Sequence, residues 1–139
     1  MHMFESGTVL EMTNGNYILR FFSFEGQISF VKPPHVAKTD VEECTITRAL
    51  TLYDAAKRKG YKVVPSTWNV KFLTNRQREV LAKIAEHPMR KFESGVKIET
   101  FEMLINYGLI NNLNRSGEFH ITAAGRMFLA GITNMREAA

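Results

Sequence analysis

Residues 17–24, Tyr-Ile-Leu-Arg-Phe-Phe-Ser-Phe, constrain the chain more than any other segment. Aromatic and β-branched residues at this density favour a strand. Side chains on a strand alternate between its two sides. Ile18, Phe22 and Phe24 therefore share one side, and Tyr17, Leu19 and Phe21 the other. Both sides are apolar. A small sheet built around such a strand must be covered on both faces, by its own chain or by a partner. Its neighbours are predicted on either side. Thr8–Thr13 and Tyr17–Phe24 flank Asn14-Gly15, a dipeptide suited to a type I′ turn. Phe24-Glu25-Gly26-Gln27 offers a second tight turn into Ile28–Lys32, and Pro33-Pro34 ends that strand. The expectation is a three-stranded meander.

A helix is predicted next. Thr39-Asp40-Val41-Glu42 fits a capping box, with Thr39 as N-cap. Ile46, Ala49, Leu50, Tyr53 and Ala56 fall at helical spacing and would form its buried stripe. Lys57-Arg58-Lys59 suits the negative end of the helix dipole, and Gly60 supplies the stop. Lys62–Phe72 then reads as extended, with Trp68, Val70 and Phe72 alternating with polar residues.

The second half has a different rhythm. Thr74 and Gln77 form a capping box for a helix whose buried face is Val80, Leu81, Ile84 and Ala85. His87-Pro88 ends it, because a residue before proline is pushed out of helical geometry. The linker Met89–Val96 leaves room for a short helical turn around Arg90–Glu93. A second helix is predicted over Lys97–Tyr107, with Ile98, Phe101, Leu104 and Ile105 at helical period and Gly108 just past its end. A β-hairpin follows, turning at Asn114–Gly117 into Glu118–Thr122. A last helix opens at Thr122.

Length and charge set outer limits. The 139 residues suit one compact domain or two small ones, and 45% hydrophobic content is enough for a core. No apolar run approaches the roughly 18–20 residues of a membrane span, and no signal-peptide pattern opens the chain. A lone cysteine, Cys44, cannot form an internal disulfide, which fits a cytoplasmic location. Residues 1–60 carry seven basic and seven acidic side chains, and residues 61–139 carry eleven and seven. The whole net charge of +4 thus lies in the second half, compatible with a phosphate-bearing partner.

Little in the sequence points to catalysis. His2, His35, His87 and His120 lack metal-ligand spacing, and no phosphate-binding glycine loop is present. Glu42 and Glu43 stand next to Cys44 and raise its pKa, the wrong direction for a nucleophile. No enzyme activity and no cofactor are expected.

The stretches LTNRQREVLAKIAEHP, TFEMLINYGLI and GEFHITAAGRMFL, taken in that order, resemble the winged helix-turn-helix of bacterial and phage transcriptional regulators. The resemblance covers roughly the last 60 residues, and with the meander and helix predicted before it gives an α+β chain with two parts. Residues 1–66 would form the meander and helix, and residues 67–139 the winged helix-turn-helix. It implies that Lys97–Tyr107 is a recognition helix for double-stranded DNA, with Lys97, Thr100 and Asn106 on its outward side. Arg115 and Ser116 would stand at the wing tip, and Arg90 and Lys91 would contact the DNA backbone. A homodimer is the form in which such a helix would read an operator. Two features depart from the family pattern. The connection between the helices is short, and Glu99 and Glu102 stand on the face that would meet DNA. The other reading is therefore a non-enzymatic protein-binding module, for example a small phage or mobile-element protein that inhibits a host complex.

Overall fold

The computed structural model describes residues 3–32, 40–70, 73–90, 95–112 and 117–132. It is an α+β protein. Strands β1 (Thr8–Thr13), β2 (Ile18–Phe24), β3 (Gln27–Lys32), β4 (Asp40–Cys44) and β5 (Lys62–Val64) form an antiparallel sheet in the order β4-β3-β2-β1-β5. Helix α1 (Ile46–Arg58) lies between β4 and β5 in the chain. The second half runs α2 (Asn75–Glu86), β6 (Met89–Arg90), α3 (Ile98–Asn106), β7 (Ile110–Asn112), β8 (Glu118–Ile121) and α4 (Ala123–Leu129). Its three strands make a separate antiparallel sheet in the order β6-β8-β7.

The chain itself covers both faces of β2. Met12, Leu19, Phe21, Ile28 and Phe30 pack with Ala49 and Ala56 of α1. On the opposite face Phe22 enters the core of the second half, beside Trp68, Val70, Leu81, Phe101 and Met127. The Phe22 and Trp68 rings meet edge to face at 5.1 Å, a favoured aromatic geometry.

The first hairpin turn departs from the expected two-residue form, and the second holds to it. The Asn14-Gly15 segment is a four-residue loop, since Thr13 pairs with Ile18. Asn14 Oδ1 accepts from the Asn16 and Tyr17 amides at 2.9 Å, so the side chain closes the turn. Glu25 and Gly26 instead have φ of +47° and +83° between the paired Phe24 and Gln27. Two positive φ angles are what a two-residue hairpin loop requires.

The start of the first helix is corrected. Residues 40–44 are strand β4, not a helical first turn; the proposed N-cap Thr39 lies outside the described residues. Five-residue pairing with β3 outweighs the local capping signal. The helix begins after Thr45, whose side chain accepts from the Arg48 amide. This later start changes the buried face. Ala49 and Ala56 are buried and Tyr53 is half-buried, whereas Ile46 and Leu50 are 54% and 42% exposed. The other expected ends hold. Thr74 and Gln77 make a reciprocal capping box on α2, His87 is extended at its end, and Thr122 caps α4.

Helix α4 packs against the sheet through a glycine that cannot be replaced. A Cβ on Gly125 would run into the Leu109 carbonyl oxygen and lie 2.6 Å from Ile121 Cγ1. Backbone cannot yield as a flexible side chain can, so added volume becomes strain. Gly125→Ala is expected to destabilise the fold by about 3 kcal/mol, read as a lowered urea midpoint. A variant as stable as the parent would show that α4 is not seated in this way.

Candidate nucleic-acid interface

Helix α3 is the centre of the candidate surface. Phe101 and Leu104 anchor it, both fully buried, and Phe101 stacks on Phe119 of β8 with ring centroids 4.5 Å apart. Lys97 is its N-cap residue and is exposed, with no capping bond from its side chain. Glu99, Glu102 and Asn106 are also exposed, and Thr100 is half-buried. Two apolar side chains share this surface: Ile98 is 40% exposed and Met103 39%. Ile98 was expected in the buried stripe, but at the first helical position it lies beyond the reach of the core.

Of the seven residues nominated for DNA contact, Lys91, Arg115 and Ser116 lie outside the described residues. Arg90 is exposed on β6 and stands 3.8 Å from the Glu118 carboxylate on β8. An exposed pair at that distance is weak and can be given up to another anion. Lys97, exposed at the N-cap, stands at the positive N-terminal end of α3. Glu99 and Glu102 have no ion pair among the described residues. Asn106 is set apart from the cations at the far end of the helix. It faces a cleft shared with the end of the β1–β2 hairpin and with Trp68.

The nominated surface is fixed to the N-terminal sheet by a polar seam that the sequence reading missed. Gln27 donates to the Ile121 carbonyl at 3.0 Å and accepts from Arg126 Nε at 2.7 Å. Ser29 Oγ accepts from the Ala123 amide at 2.9 Å. Asn111 Nδ2 donates to the Val41 carbonyl at 2.9 Å, joining β7 to β4. Glu43 closes the group, accepting from Gln27 at 2.6 Å and from Ser29 at 2.8 Å. No single one of these polar residues marks an interface by its local pattern. The pairing emerges only when β3 and β4 meet β8 and α4.

Neighbouring positions on β4 have opposite electrostatics because their side chains leave opposite faces. Glu42 points toward α1 and pairs with Arg48 at 2.9 Å and Lys32 at 3.5 Å. The Arg48 hydrogen bond holds its carboxyl below the usual range. Glu43 points into the seam. Burial pushes its pKa up, against the opposing hydrogen bonds from Gln27 and Ser29 and the more distant charges of Arg126 and His120. Cys44, on the strand rather than a helix, has its thiol pushed up to about 11 by burial and then by Glu42 and Glu43. The thiolate is scarce at neutral pH, which argues against a nucleophilic role. His120 Nε2 lies 2.9 Å from Glu118 Oε1 within β8. Among the described residues, no three His, Cys, Asp or Glu side chains gather to hold a metal. No described helix is long and apolar enough to cross a membrane.

Comparison with family models, curated proteins and solved structures finds no match to this chain.

The raised Glu43 pKa has a signed consequence. The folded state holds this proton more tightly than the unfolded chain does. The stabilisation is therefore full below about 4.5 and is lost as pH rises through the folded pKa. Glu43→Gln should remove that component. Urea melts from neutral pH downward should show the parent gaining on the variant as pH falls toward 4.5. A constant difference between the two would contradict the burial of an ionising Glu43.

Proposed function

We propose that this chain is a DNA-binding protein whose second half works as a winged helix-turn-helix regulator. The strand order β6-β8-β7 with α2 before it and α3 between β6 and β7 supports the reading, because it sets an exposed helix beside a two-stranded wing. The observation that carries it is the exposed Lys97 at the N-cap of α3, where its charge and the free backbone donors of the first turn are offered together to phosphate. The flank of α3 is a poor base reader, since Glu99 and Glu102 would face phosphates. The contact therefore falls on the N-terminal end of α3 and the strands, and phosphate contact dominates base contact.

A second reading rests on the same helix. Ile98, Glu99, Glu102 and Met103 form an exposed face of mixed apolar and acidic character. Such a face suits a basic, partly apolar protein surface better than it suits DNA. Under it the winged-helix part is a scaffold, and the protein binds and blocks another protein.

Fluorescence anisotropy with random duplex DNA at low and moderate salt tests the first reading. Binding is expected to weaken steeply with salt, and Lys97→Ala should flatten the log–log slope by about 1. Absence of binding at low salt would remove the DNA reading.

The double variant Glu99→Gln, Glu102→Gln separates the two. If DNA is the partner, removing two repulsive charges should tighten duplex binding about tenfold, equivalent to about 1.4 kcal/mol. If a basic protein is the partner, the same variant should lose that partner while duplex binding stays absent.

A further inference from the structure

A cleft of about 400 Å³ opens between the end of the β1–β2 hairpin and the C-terminal end of α3. This is within the size range of small-molecule sites. Phe22 and Trp68 form its apolar floor, Tyr17 and Tyr107 add two further rings, and Arg20 and Asn106 reach it from β2 and α3. The cleft is rich in π surface without being apolar throughout.

Its charges are already matched. Arg20 Nε lies 2.9 Å from the carboxylate of Glu11, which is 2% exposed. Lys32, also in the lining, has its ammonium paired with Glu42 at 3.5 Å. An anionic ligand would gain little from cations so compensated, and a cationic one would meet no free carboxylate among the described lining residues. The hydrogen-bonding capacity that stays open is that of two side-chain amides and the Tyr17 and Tyr107 hydroxyls. The Asn106 side chain is exposed and makes no hydrogen bond, and Asn16 at the opposite rim makes none with its side-chain amide. An amide presents a donor beside an acceptor, which matches the paired edge groups of a heteroaromatic base.

We propose that this cleft binds a neutral purine nucleoside of adenosine type, stacked against Tyr17 and Tyr107 above the buried Trp68, with its base edge on Asn106. A free amino acid fits less well, because its two charges would find no unpaired partners here. The inference does not rest on the duplex-binding reading, which uses the opposite end of α3.

Trp68 is the one tryptophan of the chain, so its fluorescence reports directly on the cleft. The test is titration of the full chain with adenosine, excited at the red edge of tryptophan absorption, and parallel titrations with uridine and with AMP. Saturable quenching by adenosine is expected, with uridine weaker for its smaller stacking surface and AMP no tighter than adenosine. Tyr17→Ala and Asn106→Ala alter exposed side chains, so both variants should keep the parent circular dichroism. Each should weaken adenosine about tenfold, the usual scale for losing one stacking or base-edge contact. An absence of saturable quenching, or equal affinity in parent and folded variants, would overturn the site. AMP binding more tightly than adenosine would overturn the assignment of a neutral ligand.

Discussion

Glu11 sits on β1 with almost no exposure and is satisfied on every side. Arg20 Nε donates to it from β2 at 2.9 Å, and the Thr67 amide donates at 3.0 Å. Thr67 Oγ1 and Ser66 Oγ add further contacts from the same connector. A buried carboxylate without such partners would cost several kcal/mol. The chain therefore has a strong reason to hold residues 66 and 67 against the sheet. With those residues fixed, Trp68 and Val70 enter the core that Phe22 shares with α2, α3 and α4. The position of the second half follows from that short polar anchor together with the apolar face beside it.

The same arrangement separates the surface into regions of different chemistry. An exposed lysine, Lys97, stands at the start of α3, while acidic and apolar residues occupy its flank. Its far end turns to a cleft walled by the N-terminal sheet. One short helix can present three chemistries because its buried stripe is narrow, with Phe101 and Leu104 doing most of the anchoring. Polar bonds at Gln27, Ser29 and Asn111 then keep the helix-bearing half from rotating on the sheet. Directional bonds are suited to this, since apolar contact alone tolerates sliding.

Several features were legible in the sequence for identifiable reasons. The capping box of Thr74 and Gln77 and the extended break at His87-Pro88 are local, so α2 came out with the right ends. Thr122 and Gly108 are local signals too. The first helix failed for the opposite reason. Thr39–Glu42 carries a capping pattern, but residues 40–44 complete a sheet, and a ladder of cross-strand bonds outweighs one cap. The polar seam and the Glu11 anchor were illegible, because their bonds join residues between 9 and 99 positions apart. Of the nominated contact residues, Arg90, Lys97, Thr100 and Asn106 are placed. Exposure alone would not have divided them into a cationic end and a cleft-facing end.

The sequence by itself determined the alternation that puts apolar side chains on both faces of β2, and so required that both be covered. It also determined the helix ends set by caps and the basic excess of residues 61–139. Those depend on neighbours along the chain or on composition. Only the tertiary structure decided what covers each face: α1 on one, the second half on the other. It alone decided that Glu42 and Glu43, adjacent in sequence, meet an arginine and a buried seam respectively. A strand sends adjacent side chains to opposite faces, and what waits at each face is supplied by segments far away in the chain.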